Sequence, residues 1–140
     1  MDGPQPMNTK IKVFALLLLG VAHMAQSQTQ GDLNAMTEAD WRAADKQLNS
    51  IYQQIIAENA DDEVFLASLK EAQRCWVAFR DAQLKMKYPD REPGYYGSVL
   101  PSCEMMYLTE LTQDRIKALQ VWIDGVEEGN ICAGTVKIKE

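Results

Sequence analysis

An apolar seam with heptad-like spacing is the feature that most constrains the fold of this chain. Five apolar residues follow one another at alternating steps of three and four: Trp41, Ala44, Leu48, Ile51 and Ile55. This spacing puts them on one face of an α-helix, because the helix turns once in about 3.6 residues. It predicts a first helix over residues 37–58, with Thr37 and Asp40 placed as a capping box at its start.

Two further segments show helical apolar spacing. The second predicted helix reaches from a turn at residues 59–62 to about Lys87, and its seam consists of Phe65, Leu69, Ala72, Trp76 and Phe79. The third predicted helix has one apolar face, formed by Leu108, Leu111, Leu119, Trp122 and Val126. We expect that helix to stop at Gly129, since glycine commonly ends helices.

A long connection separates the second and third predicted helices. Residues 88–102 contain three prolines and two glycines, which predicts an irregular loop. Fifteen residues exceed the roughly two to eight usual between the helices of a bundle, and long loops are often functional. The sequence therefore predicts an all-α fold, a three-helix antiparallel up-down-up bundle with a long loop between helices 2 and 3.

The N-terminal segment has the pattern of a secretory signal peptide. Lys10 and Lys12 precede an apolar run over residues 13–22, and the small-x-small triplet 25–27 follows. Ten apolar residues are about half of the ~20 needed to span a bilayer, so we expect no stable membrane anchor after cleavage. We predict a signal peptide over residues 1–27, a flexible arm over 28–36, a helical domain over 37–128 and a C-terminal tail over 129–140.

The charge of the exported chain excludes several classes of function. Of 14 Lys and Arg and 20 Asp and Glu, two cations and one acid lie in the leader, which leaves 12 against 19, a net charge of −7. An acidic chain lacks the basic surface that nucleic acids require. The only histidine, His23, also lies in the leader, so the remainder has no His-based nucleophile pair or metal ligand. We predict no enzymatic activity, no cofactor and no metal site.

Charged and polar side chains interrupt the apolar faces of all three predicted helices. Asp45 lies in the first seam, Gln73 and Arg80 in the second, and Arg115 in the third. A buried charge costs several kcal/mol unless it is paired and hydrogen-bonded, so we expect Asp45 and the two arginines to satisfy each other or nearby carbonyl groups in a structural polar network. Asp81 points away from the seam and is expected to be solvated. A carboxylate and guanidinium binding site is the alternative interpretation.

Aromatic and charged residues alternate in the long loop. Three tyrosines, Tyr88, Tyr95 and Tyr96, stand beside Arg91 and Glu92. Tyrosine is frequent at protein interfaces because its ring is apolar and its hydroxyl is polar. These five residues are therefore candidates for partner binding. An equally weighted alternative is that the tyrosines close the end of the bundle.

Four segments together resemble the LprI-type lysozyme inhibitor domain family. They are AADKQLNSIY at 43–52, AQRCWVAFRDA at 72–82, GSVLP at 97–101 and LTQDRIKAL at 111–119, in the order of the family. The positions that match the family signature are Asp45, Leu48, Asn49, Tyr52, Gln73, Trp76, Arg80, Asp81, Thr112 and Arg115. The resemblance implies an exported, all-helical domain, named after the inhibition of lysozyme by a studied member.

The chain departs from that family at its cysteines. Members carry two cysteines where this sequence has Gln83 and Tyr107, so the bridge that the resemblance implies between helices 2 and 3 is missing. With residue 83 opposite 107, Cys75 and Cys103 are about 18 Å apart, beyond the ~7 Å limit between bridged Cα atoms. We expect Cys103 to be free or intermolecular, while Cys132 could reach Cys75 only if the tail folds back.

Resemblance and charge together predict an exported helical binding protein, periplasmic or secreted, that blocks a cationic lysozyme by occlusion. The alternative is an envelope structural or stress-adaptor protein without lysozyme activity. That protein would pair as a homodimer through a free cysteine or through the surface beside the seam.

Overall fold

Three α-helices account for most of the chain. The computed structural model describes the backbone of residues 9–139 and the side chains of residues 29–139. The helices are α1 (Thr9–Glu58), α2 (Glu63–Lys87) and α3 (Leu100–Asp124). Over the described backbone the only strand-like pairing is a single bridge between Val126 and Ile138. The predicted all-helical fold class is confirmed.

Helix α1 begins much earlier than the sequence predicted. Residues 28–36, predicted as a flexible arm, continue the helix. Thr37 is buried, and its hydroxyl donates to the carbonyl oxygens of Leu33 at 3.0 Å and Asn34 at 3.1 Å. Threonine makes such bonds to the preceding turn inside a helix, so the predicted capping box at Thr37 was wrong.

The predicted signal peptide lies outside the residues whose side chains are described. Residues 1–8 are not described, and for residues 9–28 the structure gives only a helical backbone. Among the described residues, no helix combines the length and the apolar character that crossing a bilayer requires. The leader and its cleavage after Ser27 stay predictions.

The hydrophobic core lies where the predicted seams meet. It consists of Leu48, Ile51, Ile55, Phe65, Leu69, Ile116 and Leu119. Ile55 is fully buried, and Leu48 and Leu119 are only 2% exposed. Full burial of one such side chain contributes about 1.5–3 kcal/mol to folding. Four of the five residues of the first seam are buried as predicted, and Trp41 is half-buried.

The buried residues of helix α2 all lie in its first turns, while Trp76 packs against the core partly buried. Phe65 and Leu69 are its buried residues, whereas Phe79 is 51% and Met86 is 70% exposed. Helix α3 packs along α1 and touches α2, while α1 and α2 share few contacts. The prediction that Phe79 belongs to a buried seam was therefore wrong, because in the part of the chain that the structure describes α2 shares few contacts with the other helices.

Helix α3 starts inside the segment predicted as loop. Pro101 and Ser102 lie in its first turn, and the connection from α2 is residues 88–99. A proline at the start of a helix breaks no hydrogen bond, because the first backbone N–H groups have no partner within the helix. Pro101 was therefore wrongly assigned to the loop, because it belongs to the first turn of α3.

The C-terminal segment folds back onto the end of α3. The helix ends at Asp124, with Gly125 (φ 73°) as its C-cap, and not at Gly129 as predicted, so Val126 lies beyond it. The Val126 N–H donates to the Lys137 carbonyl at 2.9 Å, and the Lys139 N–H donates to the Val126 carbonyl at 2.9 Å. An ion pair of 3.1 Å between Lys137 Nζ and Glu58 Oε2 joins this segment to α1. The predicted tail over residues 129–140 is thus attached to the end of α3 and to α1.

Candidate partner-binding site

The connection between α2 and α3 is folded into two consecutive turns. The Tyr95 N–H donates to the Glu92 carbonyl at 3.1 Å, and the Gly97 N–H donates to the Gly94 carbonyl at 3.0 Å. Gly94 and Gly97 have φ angles of 87° and 72°, in the left-handed region that favours glycine. The positions of the two glycines therefore set the path of residues 88–99.

Tyr96 holds this loop together from the inside. Its hydroxyl donates to the Pro89 carbonyl oxygen at 2.9 Å and so closes the loop on itself. Its ring meets the Tyr88 ring edge-on at 5.8 Å and the Tyr95 ring edge-on at 4.8 Å. Edge-to-face pairs of this kind contribute about 0.5–1.5 kcal/mol each beyond their buried area. The loop is therefore braced by its own side chains.

Tyr88 fixes the base of the loop to the helices. Burial raises the pKa of its phenol above the ordinary value, and the neighbouring Cys103 and Glu104 on α3 raise it further. The Lys87 ammonium lies 3.7 Å from the centre of the Tyr107 ring and 5.8 Å from that of Tyr88. These contacts connect the end of α2 with the first turns of α3.

The outer face of the loop presents an exposed aromatic ring beside charges. The Tyr95 side chain is 61% exposed, and the Arg91 guanidinium stacks over its ring at 5.7 Å. Glu92 is exposed next to them. Residues 88–97 enclose a cleft of about 190 Å³, which Leu100 and Glu104 close from α3. The structure thus collects the five predicted residues in one loop, with Tyr88 and Tyr96 as braces and the other three facing solvent.

Asp45 does not join the polar network predicted for it. Its carboxylate accepts a hydrogen bond from the Asn49 amide of the same helix at 3.0 Å. The Arg80 guanidinium instead binds Asp81, with Nε and Nη2 at 2.9 and 2.8 Å from Oδ1. The predicted pairing of Asp45 with the arginines was wrong. Arg80 lies on α2, which shares few contacts with α1, and Arg115 on α3 bonds to Gln73 instead. Asp81, predicted to be solvated, is half exposed and serves as the partner of Arg80.

The other half of the predicted network links α2 to α3. Arg115 Nε donates to Gln73 Oε1 at 3.1 Å. The Trp76 ring lies against both arginines, 5.9 Å from the Arg115 guanidinium and 5.4 Å from that of Arg80. Guanidinium groups stack favourably on the face of tryptophan. Gln73, Trp76 and the two arginines therefore form one cluster on the α2–α3 side.

The acidic and thiol groups of the described region show no metal-binding arrangement. Within residues 29–139 no three His, Cys, Asp or Glu side chains are grouped to hold a metal ion. Asp62 caps α2 instead, because its Oδ1 accepts the Phe65 N–H at 2.9 Å. The structure has Cys75, Cys103 and Cys132 as free thiols, and Cys103 is the least exposed of them.

A polar contact between α1 and α3 escaped the sequence reasoning. Ser102 is fully buried, and its hydroxyl donates to Asn34 Oδ1, while the Gln30 amide donates to Ser102 Oγ at 3.4 Å. Gln30 and Asn34 are one helical turn apart, which is the signal that could have indicated a polar stripe on a longer α1. Pro101 and Gly31 pointed to loops at both positions, so this polar stripe was not recognised in the sequence.

Comparisons with known proteins give a family and a relative. The model of the family described as Lysozyme inhibitor LprI matches residues 21–119. An uncharacterized protein of Rhizobium meliloti (strain 1021) is 32% identical over 110 residues, which covers 71% of this chain and 77% of the relative. No solved structure matches the chain.

Proposed function

The chain belongs to the LprI lysozyme inhibitor family, and on that premise we propose that it is an exported protein that binds a lysozyme and blocks its cleft by occlusion. The family is one of inhibitors and not of enzymes, and it implies a protein partner acting outside the cytoplasm. The matched range includes the loop between α2 and α3 and nearly all of both helices. A binding role for that loop is therefore compatible with the family match.

The loop of residues 88–99 is the proposed insertion element. The observation that carries this proposal is the exposed Tyr95 ring, held on a loop that Tyr96 and the two glycines brace. Interface hot spots are enriched in tyrosine and arginine, and Arg91 stacks on Tyr95. We assign Tyr95, Arg91 and Glu92 to direct contact, and Tyr88 and Tyr96 to support.

The proposed arrangement of the helices leaves this loop accessible. We infer that α1, α2 and α3 run up, down and up, which puts the loop at one end of the bundle. Asn34 meets Ser102 near the start of α3, and Ile55 shares the core with Leu119 near its end, which supports a common direction of α1 and α3. The contacts of Lys87 with Tyr107 and of Gln73 with Arg115 support an opposite direction of α2.

The charge of the protein suits a cationic partner. A net charge of −7 after removal of the leader attracts a cationic lysozyme over long range and speeds its encounter. This attraction acts on the association rate, while the fit depends on the loop. We expect the inhibition to weaken as salt is raised, since salt screens charge within about 10 Å at 0.1 M.

A pair of matched variants tests the loop. We expect Tyr95→Ala to weaken the inhibition of lysozyme turnover at least tenfold, which corresponds to about 1.4 kcal/mol. Ile131→Ala is the control, because Ile131 is 98% exposed in the C-terminal segment, beyond the far end of α3. Loss of residues 91–96 should abolish inhibition. Full inhibition after that deletion would sink the loop proposal.

The lysozyme class is found by assaying c-, g- and i-type enzymes against the purified protein. Export to the periplasm or the medium is tested by sequencing the N-terminus of the exported protein, which we expect to be Gln28. A start before Gln28 would contradict the proposed cleavage site.

A second candidate function is an envelope adaptor that pairs with itself and has no effect on lysozyme. It is favoured by an exposed row on α2, formed by Cys75, Phe79 and Met86. Cys103 suits covalent pairing less well, since it is half-buried beside Tyr88. Gel filtration with and without reductant discriminates the two functions. A covalent dimer that does not affect lysozyme would support the adaptor.

A further inference from the structure

A second concave site lies between α2 and α3, apart from the proposed lysozyme-binding loop. It is a cavity of about 370 Å³, within the range of roughly 300–1,000 Å³ typical of small-molecule sites. Its walls are mostly apolar and include Phe65, Leu69, Leu119 and Trp122. The Phe65 and Trp122 rings of this lining stack at 6.4 Å between centres, with 29° between their planes.

The C-terminal segment forms part of the rim of this cavity. Thr135 lines it, and its hydroxyl oxygen accepts the Trp122 indole N–H at 3.1 Å. The lining also includes two small side chains of α2, Ser68 and Ala72. These small side chains leave room for an elongated apolar group beside Leu69 and Leu119.

One cation, Arg115, lines this apolar cavity. Within residues 29–139, no carboxylate lies within ion-pairing distance of its guanidinium. Its hydrogen-bond partner is the neutral Gln73 amide, which occupies Nε and leaves the Nη donors for another acceptor. Burial lowers the pKa of Arg115, as it does for a cation that loses water without gaining a counter-charge.

The other charged group at the cavity is already engaged. Asp62 lies at the start of α2, where its carboxylate accepts the Phe65 N–H and stabilises the helix N-terminus. The lining thus combines apolar walls, one cation without an ion-pair partner and one carboxylate that is engaged at the N-terminus of α2. The complement of such a site is a molecule with a hydrocarbon body and a single anionic head.

We infer that this cavity binds a fatty-acid-like carboxylate, with the carboxylate held by Arg115 and the hydrocarbon chain packed between α2 and α3. A carboxylate and a guanidinium form a charge-assisted and commonly bidentate pair. Gln73 is then a positioning residue, because its bond to Nε fixes the orientation of the guanidinium. This binding is independent of the lysozyme function and of the loop that carries it.

The inference is tested by titrating the purified protein with decanoate and with 1-decanol, which has the same chain length without the charge. Trp122 lines the cavity, so tryptophan fluorescence reports occupancy. We expect decanoate to bind about tenfold or more tightly than decanol. Arg115→Gln should weaken decanoate binding by about the same factor and leave decanol binding unchanged.

Two further variants make the test specific. Lys117→Gln removes one exposed cation from the same helix and should change neither affinity. Ala72→Phe adds a bulky ring to the lining from an exposed position, so it should weaken both ligands without changing Arg115 itself. Circular dichroism verifies that each variant is folded, and Ala72→Phe keeps the test decisive if Arg115→Gln fails to fold.

Several results would overturn the inference. The first is that the wild-type protein does not bind decanoate. The second is that Lys117→Gln and Arg115→Gln weaken decanoate binding equally, and the third is that Ala72→Phe leaves the binding of both ligands unchanged. A wild-type dimer in analytical ultracentrifugation that Ala72→Phe dissociates would assign the cavity to a second copy of the chain. Loss of lysozyme inhibition in Ala72→Phe without decanoate binding by the wild type would assign it to the lysozyme.

Discussion

Arg115 on α3 donates a hydrogen bond from Nε to Gln73 Oε1 on α2, at 3.1 Å. This contact connects two helices of which one, α2, has no buried residue after Leu69. Because few apolar contacts hold the later turns of α2, polar contacts to α3 carry a larger share of its attachment. The bond therefore bears on the stability of the whole second half of α2.

Gln73→Ala should lower the free energy of unfolding by about 1–2 kcal/mol, because a half-buried guanidinium loses its acceptor. Denaturant unfolding measures the change, and hydrogen exchange should show faster opening in α2 beyond Leu69. Gln53→Ala, an exposed glutamine on α1, is the control and should change stability by less than about 0.5 kcal/mol. Equal effects of the two variants would contradict a specific role for Gln73.

The contact between Asn34 and Ser102 predicts a cost for shortening Asn34. Asn34→Ala leaves the buried Ser102 hydroxyl without its acceptor, and we expect a loss of about 1–2 kcal/mol in unfolding experiments. The double variant with Ser102→Ala should be less destabilised than Asn34→Ala alone, since no buried donor is then left unpaired. A neutral Asn34→Ala would indicate that residues 28–36 do not pack on α3.

Substitutions at two glycines of the C-terminal region distinguish the cost of a steric clash from the cost of backbone strain. A Cβ atom at Gly125 would lie 2.8 Å from the Lys137 carbonyl oxygen, whereas one at Gly129 would meet no atom within 4 Å, and both have positive φ. Gly129→Ala should cost about 1 kcal/mol from strain alone. Gly125→Ala should cost about 3 kcal/mol and release the returning segment, as thermal unfolding can determine. Similar losses of stability in the two variants would argue against close packing of Lys137 on Gly125.

The attachment of the C-terminal segment should depend on pH. The hydrogen bond from Gln54 and then that from Lys137 lower the pKa of Glu58 below its ordinary 4.5. Because the folded-state pKa is the lower one, the contribution of Glu58 is complete above about pH 4.5 and is lost as the pH falls through the folded value. We expect the segment to loosen in this acidic range, which Trp122 fluorescence follows through its bond to Thr135. Glu58→Gln should remove the pH dependence.

Removing only the Tyr96 hydroxyl tests how much the hydrogen bond that closes the loop contributes to inhibition. Tyr96→Phe keeps the ring contacts with Tyr88 and Tyr95 but loses the bond to the Pro89 carbonyl. We expect a threefold to tenfold weaker inhibition, from a loss of about 1 kcal/mol. The effect should be smaller than that of Tyr95→Ala in the same turnover assay. A larger effect would mean that the Tyr96 hydroxyl itself contacts the lysozyme.

The all-helical fold could be predicted because apolar spacing repeats in all three segments. Ala44, Leu48, Ile51 and Ile55 are buried as their spacing requires. The start of α1 could not be predicted in the same way, since Thr37 reads as a cap in sequence but bonds to the preceding turn in the helix. Local patterns do not distinguish these two uses of threonine.

The pairing of the polar residues was harder to predict than their position in the seams. Helical spacing placed Arg115 and Gln73 on facing surfaces, and they meet. It also placed Asp45 on an apolar face. Spacing does not say which helices touch, however, and α1 and α2 share few contacts. Arg80 binds the adjacent residue, Asp81. Helical spacing does not predict a contact between neighbours in the chain, because their side chains point to different faces. Contacts between helices depend on packing that a single sequence does not report.

The bond from Tyr96 to Pro89 also has a kinetic meaning. A loop that is already ordered loses little conformational entropy on association, so less of the binding free energy is spent on ordering it. Binding through such a loop requires no slow rearrangement after encounter, and its rate should rise linearly with lysozyme concentration. Differences in affinity among loop variants should then lie mainly in how long the complex survives.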